Sequence, residues 1–294
     1  MPLKKLNVGG VEWEYATGGR GEQTILMFHG AVGGAETMQW LAERFGDEYR
    51  TIAPTVADVR RLGEVCDAAS AILDREHVGR AVVFGGSFGG LVAQAFLKRR
   101  PRQVEHLVLL STGAPNPGLG SRSEKLMKVL RLLPFPLLRA LLKAELSKHL
   151  NTPVPPEHAE RFADFRRRLD EYFDRRLTKA TLLSRVALAA DFNLRESYDA
   201  ADYEDWPGRV LIIDADDDPM VSAEDRRRLR AFFPRAMLCT FEGAGHMIPL
   251  LRTEELVGLV KAFLKEDYRP PPVVEHCPVA DRHGDTAKTL RPKK

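Results

Sequence analysis

Three observations on this sequence predict an α/β protein: a mostly parallel sheet flanked by helices, with a helical cap insertion. Short apolar, β-branched runs alternate with amphipathic helical stretches through the first third of the chain. From about Gly113 to Pro207 no convincing strand occurs, and prolines such as Pro115, Pro134 and Pro153 break up leucine- and arginine-rich helical stretches. The strand–helix alternation then returns and runs to Leu264. Because the expected strands are apolar throughout rather than alternating, they belong inside a sheet covered on both faces.

In chain order, Val11 to Ala16 and Thr24 to Phe28 read as strands, Thr37 to Phe45 as a helix and Arg50 to Ala53 as a strand. A helix over Val59 to Arg75 follows, then the compact apolar run Arg80 to Phe84, a helix from Phe88 to Arg99 stopped by Pro101, and a strand from Glu105 to Leu110. After the insertion come a strand over Arg209 to Ile213, a helix capped by Ser222 with Asp225 three residues on, a strand over Ala236 to Phe241 and a last helix from Thr253 to Leu264. The expected division is a core of residues 1–113 and 207–266, a helical cap of residues 114–206 and a disordered tail of residues 267–294. The tail opens on Pro270, Pro271 and Pro272 and stays polar and aperiodic.

At 294 residues the chain is about twice a modal domain, and 44% hydrophobic against 29% charged residues supports a sizeable core. A net charge of +3 is too mild for a nucleic-acid partner, and no motif for one is present. Cys66, Cys239 and Cys277 are odd in number, far apart and without metal-ligand spacing, so neither a disulfide framework nor a zinc site is expected. With no apolar leader behind Met1 and no run of about 18 apolar residues, a cytoplasmic location is expected.

The chemistry centres on Gly85-Gly86-Ser87-Phe88-Gly89, placed between a strand and a helix. A serine in so sharp a turn projects from the carboxyl edge of the sheet at a helix N-terminus, where free amides favour developing negative charge. A serine hydroxyl needs a base, and His246 in Gly245-His246-Met247 follows the last expected strand at the same sheet edge. The base needs a carboxylate to fix its tautomer. Asp214, Asp216, Asp217 and Asp218 follow the strand ending at Ile213; Asp218 is chosen because Pro219 turns the chain there, with Asp217 and Asp216 as fallbacks. The Phe88 amide and the Ala31 amide, from His29-Gly30-Ala31, are the expected oxyanion donors, and His29 is expected to brace its loop. No metal or organic cofactor is called for.

These segments, in the order Ser87, Asp218, His246, resemble the α/β-hydrolase fold superfamily of serine hydrolase type over about residues 3–266. The passage from Thr51 to Asp58 and the stretch Arg176 to Arg185 are similar to the maspardin branch, some members of which are thought to act as binding proteins. The resemblance implies an acyl-enzyme mechanism on a small-molecule carboxylic ester or thioester. The alternatives are a maspardin-like binding or scaffold protein with little turnover, or a C–C bond hydrolase or aminopeptidase of the same fold. The basic, leucine-rich segment Ser121 to Leu150 is expected to close its leucines over the cleft, in preference to a peripheral membrane contact.

Overall fold

The computed structural model describes residues 3–46, 48–150 and 159–265. Eight strands form one sheet: β1 (Leu3–Val8), β2 (Val11–Gly18), β3 (Thr24–Phe28), β4 (Arg50–Pro54), β5 (Ala81–Gly86), β6 (Val104–Leu110), β7 (Val210–Ala215) and β8 (Met237–Phe241). Their spatial order is β1-β2-β4-β3-β5-β6-β7-β8; the first two strands are antiparallel to their neighbours and β3 to β8 run parallel. Parallel neighbours need crossover connections, and the helices that make them cover both faces.

Side chains of successive strand residues enter opposite layers. Leu26 and Phe28 of β3 pack with α2 (Leu62–Arg75) and α3 (Phe88–Arg99), whereas Ile25 and Met27 pack with α1 (Ala35–Phe45) and α10 (Thr253–Leu264). Both layers are fully buried, which is why these strands read as continuous apolar runs.

Between β6 and β7 lie α4 (Pro117–Leu132), α5 (Phe135–Leu150), α6 (Ala159–Arg175) and α7 (Lys179–Arg195), with no strand among the described residues. The α7 helix holds this insertion to the sheet domain. Asp191 accepts from the Leu62 amide at 2.9 Å and pairs with Arg61 at 3.0 Å, capping the start of α2. Ser184 donates to the Val59 carbonyl at 2.6 Å and Arg185 to the Val56 carbonyl at 2.5 Å. These contacts hold residues 56–59 as a loop, so α2 begins at Leu62 rather than at Val59.

The expected closure of leucines over the cleft holds only in part. Leu126 and Leu146 line cavities at the serine, but Leu132, Leu137 and Leu141 face solvent. Cys66 is a buried free thiol. No helix among the described residues is long and apolar enough to cross a membrane. The expected tail, residues 267–294, lies outside the described residues.

Candidate active site

Ser87 sits in the turn from β5 to α3 with φ 53°, a left-handed conformation that costs a non-glycine residue of order 1–3 kcal/mol unless its surroundings enforce it. Here they do. Its amide donates to the Leu110 carbonyl at 2.8 Å, and its carbonyl accepts from the Gly90 amide at 2.9 Å and from Thr112 Oγ1 at 2.9 Å. A Cβ on Gly89 would lie 2.2 Å from the Phe28 carbonyl oxygen, and one on Gly85 would lie 2.3 Å from the Gly89 carbonyl oxygen. The two glycines therefore let α3 start directly against β3 and β5, leaving Ser87 at the carboxyl edge of the sheet.

The four aspartates after β7 separate by partner. Asp214 is buried and held by Thr240 Oγ1 at 2.7 Å and Arg230 at 2.8 Å. Asp216 accepts from the Gly243 amide at 2.9 Å and Asp217 from the Gly245 amide at 2.7 Å, tying the loop after β8 to the loop after β7. Asp218 alone among them faces His246, whose Nδ1 lies 2.8 Å from Oδ2 and 3.0 Å from Oδ1. The Asp218 Oδ1 also accepts from the Met220 and Val221 amides at 2.8 and 3.1 Å. Burial of this carboxyl opposes its charge, but the His246 hydrogen bond and attraction, joined by the two amides, hold its pKa below the usual carboxylate range. An ionised acceptor at Nδ1 keeps the proton there and leaves Nε2 free to accept one.

Ser87 and His246 line one cavity of about 210 Å³. Its walls are apolar, from Phe28, Trp40 and Leu41 on the sheet domain and from Leu146, Phe165 and Leu169 on the insertion. A second opening shares Ser87, His246, Ala31 and Met220 with it and is bordered by Leu126 and Arg185. Ala31 and Phe88 line the same opening as Ser87: Ala31 lies on the loop after β3, and the Phe88 amide is at the first position of α3, where a helix offers its own N–H groups no acceptor.

His29 is fully buried beside this loop. Its Nε2 accepts from the Val56 amide at 3.0 Å and its Nδ1 donates to the Gly30 carbonyl at 2.6 Å. Burial, with the Arg185 charge nearby, pushes its pKa down to about 3, so it is a neutral brace for residues 29–31.

Two residues at the site escaped the sequence reading. Ser111, directly after β6, has φ 44°, and its buried hydroxyl has no partner although it lines the cavity beside Ser87. Arg185 reaches from α7 to the loop after β4, with its guanidinium 5.7 Å from the Phe88 ring centre. The polar run Ser111-Thr112-Gly113 at a strand's carboxyl end was a signal for the first; the second closes the stretch Arg176 to Arg185, which was read for its resemblance and not for a contact at the site. Among the described residues no group of three His, Cys, Asp or Glu side chains could hold a metal ion.

Comparison with known proteins agrees with this architecture. Residues 25–259 match the family described as the Alpha/beta hydrolase family. The chain is 25% identical to maspardin from Danio rerio, over 90% of its own length and 83% of that protein's. It is 24% identical to 2-hydroxymuconate semialdehyde hydrolase from Pseudomonas sp. (strain CF600), over 82% and 87% respectively. Among solved structures, a hydrolase from Pseudomonas aeruginosa PA01 superposes with a TM-score of 0.70 at 20% identity, covering 89% of this chain and 98% of that one.

Proposed function

The chain belongs to the alpha/beta hydrolase family, and from that premise we propose that it is a serine hydrolase acting on a carboxylic ester or thioester through an acyl-enzyme on Ser87. The observation that supports this most is the pairing of His246 Nδ1 with Asp218 at 2.8 Å while His246 shares a cavity with Ser87 on its strained turn. His246 Nε2 takes the proton as Ser87 Oγ attacks the acyl carbon, and the Asp218 carboxylate stabilises the imidazolium that forms. The Ala31 and Phe88 amides hold the oxyanion. His246 returns the proton to the leaving oxygen or sulfur, and water attacks the acyl-enzyme by the same route reversed.

The cavity favours an uncharged, apolar acyl group. A fluorophosphonate probe should label the purified protein and fail to label Ser87→Ala. An unlabelled folded wild type would overturn the proposal and leave a binding role, as in the maspardin-like alternative.

A second reading, C–C bond hydrolysis, has support in the likeness to 2-hydroxymuconate semialdehyde hydrolase over most of both chains. The two share Ser87 as the reacting serine and differ in substrate. Turnover of 2-hydroxymuconate semialdehyde faster than of any ester in a graded acyl series would select the second.

A further inference from the structure

Helices α4 and α5 leave a row of large apolar side chains in water. On α4, Leu126, Val129 and Leu132 are 48%, 53% and 85% exposed, and on α5 Leu137 and Leu141 are 46% and 55% exposed. Large apolar side chains exposed in such number on one segment mark an interaction surface more often than singly scattered ones do.

The charge on the same segment is equally uneven. Residues 117–148 hold seven Lys and Arg against two Glu, a balance of +5 in a chain whose total is +3, so the remainder of the chain sums to −2. Arg122, Lys125, Lys128 and Arg131 recur every three residues, and the last three of them each precede one of the apolar residues Leu126, Val129 and Leu132 by one position. At about 100° per residue a three-residue spacing steps back by about 60°, so each series is a slanted row: Lys125, Val129 and Leu132 point outward together, with Arg122 and Lys128 on either side of them and Arg131 turned further round the helix. None of these four cations forms an ion pair among the described residues, whereas Lys143 of α5 is neutralised by Asp170 and Asp174 at 3.4 and 3.0 Å.

The apolar row ends at the candidate active site. Leu126 and the 54% exposed Met220 border the opening that also exposes Ser87 and His246.

We propose that the outer face of α4 and α5 is a peripheral docking surface for an anionic phospholipid bilayer, which places the opening above Ser87 at the lipid–water boundary. Leucines and valine enter the acyl boundary while the unpaired cations meet anionic headgroups, the arrangement of an interfacial amphipathic helix. A second copy of the chain is a poor occupant, because a twofold contact through this face would set one cationic row against another.

The test is co-sedimentation with phosphatidylcholine vesicles and with vesicles of phosphatidylcholine plus phosphatidylglycerol, at low and high salt. The wild type should partition at least roughly tenfold more strongly to the anionic vesicles, with the difference shrinking at high salt. Val129→Ser combined with Leu132→Ser, and separately Arg122→Glu combined with Lys125→Glu, should each remove most of the binding while leaving ester turnover of a water-soluble substrate unchanged. All four side chains stand away from the cavity, and the charge pair keeps the test open should the apolar pair misfold. Ser87→Ala should bind vesicles as the wild type does, which separates this proposal from the hydrolase reading. Equal partition to both vesicle types, or binding that neither pair of substitutions reduces, would overturn it. So would a dimer in solution that the Val129 and Leu132 substitutions dissociate, since the face would then belong to a second copy.

Discussion

Replacing Asp218 by asparagine isolates one function of one atom. In the native site Oδ1 accepts from the Met220 and Val221 amides as well as from His246, while Oδ2 faces His246 Nδ1 at 2.8 Å. Asparagine keeps an oxygen for the two amides, so the turn into α8 (Ala223–Phe232) survives. Its NH₂ group then stands where Oδ2 was and donates to Nδ1, which must give up its proton. The proton moves to Nε2, the atom that accepts from Ser87 in the proposed mechanism, and the imidazolium loses its counter-charge. Neutralising the aspartate of a serine triad lowers kcat about 10⁴-fold, which is about 5.4 kcal/mol at 1.36 kcal/mol per tenfold. The assay is initial-rate hydrolysis of a chromogenic short-chain ester, with KM measured separately and expected to change little, and with a thermal melt to show that the variant folds. Asp216→Asn and Asp217→Asn are the controls, because each retains an oxygen for the Gly243 or Gly245 amide and should cost only a few-fold. Comparable losses at all three positions, or less than about tenfold at Asp218, would refute the assignment.

Three further outcomes follow from the geometry. Gly89→Ala should abolish activity and sharply lower folded yield, because its Cβ would meet the Phe28 carbonyl oxygen at 2.2 Å; Gly63→Ala, with nothing within 4 Å, should leave the melting temperature equal or raised. Asp191→Ala should destabilise by about 1–2 kcal/mol in urea, since it uncaps the Leu62 amide and frees Arg61, without changing the rate per folded molecule. His29, with its pKa pushed down to about 3 in the folded state, takes up a proton near 6.5 only when unfolded. The unfolded chain therefore binds more protons between those values, stability falls as pH is lowered through 6.5, and the loss from this residue reaches about 2 kcal/mol at pH 5. Urea midpoints at pH 5 and pH 7.5 would check it, the decline being shallower in His29→Gln.

How much of this was readable from the chain depends on how local each cause is. β3, α3 and α10 stand at the expected residues, because their ends are set by nearby groups: Pro101 after α3, and the glycine pair around Ser87 before it. β1 went unread. Leu3–Val8 is an exposed edge strand with Lys4 and Lys5 in it, and it is ordered by pairing with β2, by the Lys5–Glu12 contact at 2.7 Å and by the Lys4–Glu76 contact at 2.8 Å. The Gly9-Gly10 pair, both at positive φ, was the hairpin signal that could have found it. The leucines of α4 and α5 were read as a closing face because periodicity reports that a side is apolar and not what covers it.

The sequence by itself determined the order of strands and helices and the turn that carries Ser87. It placed Asp218 and His246 on loops that a parallel sheet must bring to one edge, because each follows a strand's carboxyl end. The sequence put Asp218 first and left Asp217 and Asp216 open; the tertiary structure separates them, through Gly243 and Gly245 amides that occupy Asp216 and Asp217 from 27 and 28 residues away. It also decided that Arg185 of the insertion pins the Val56 carbonyl, a contact across 129 residues. Short-range steric and capping preferences are written in adjacent residues; the partner of a polar side chain is whatever unsatisfied group the fold brings within about 3 Å, and that is set by the packing of the whole chain.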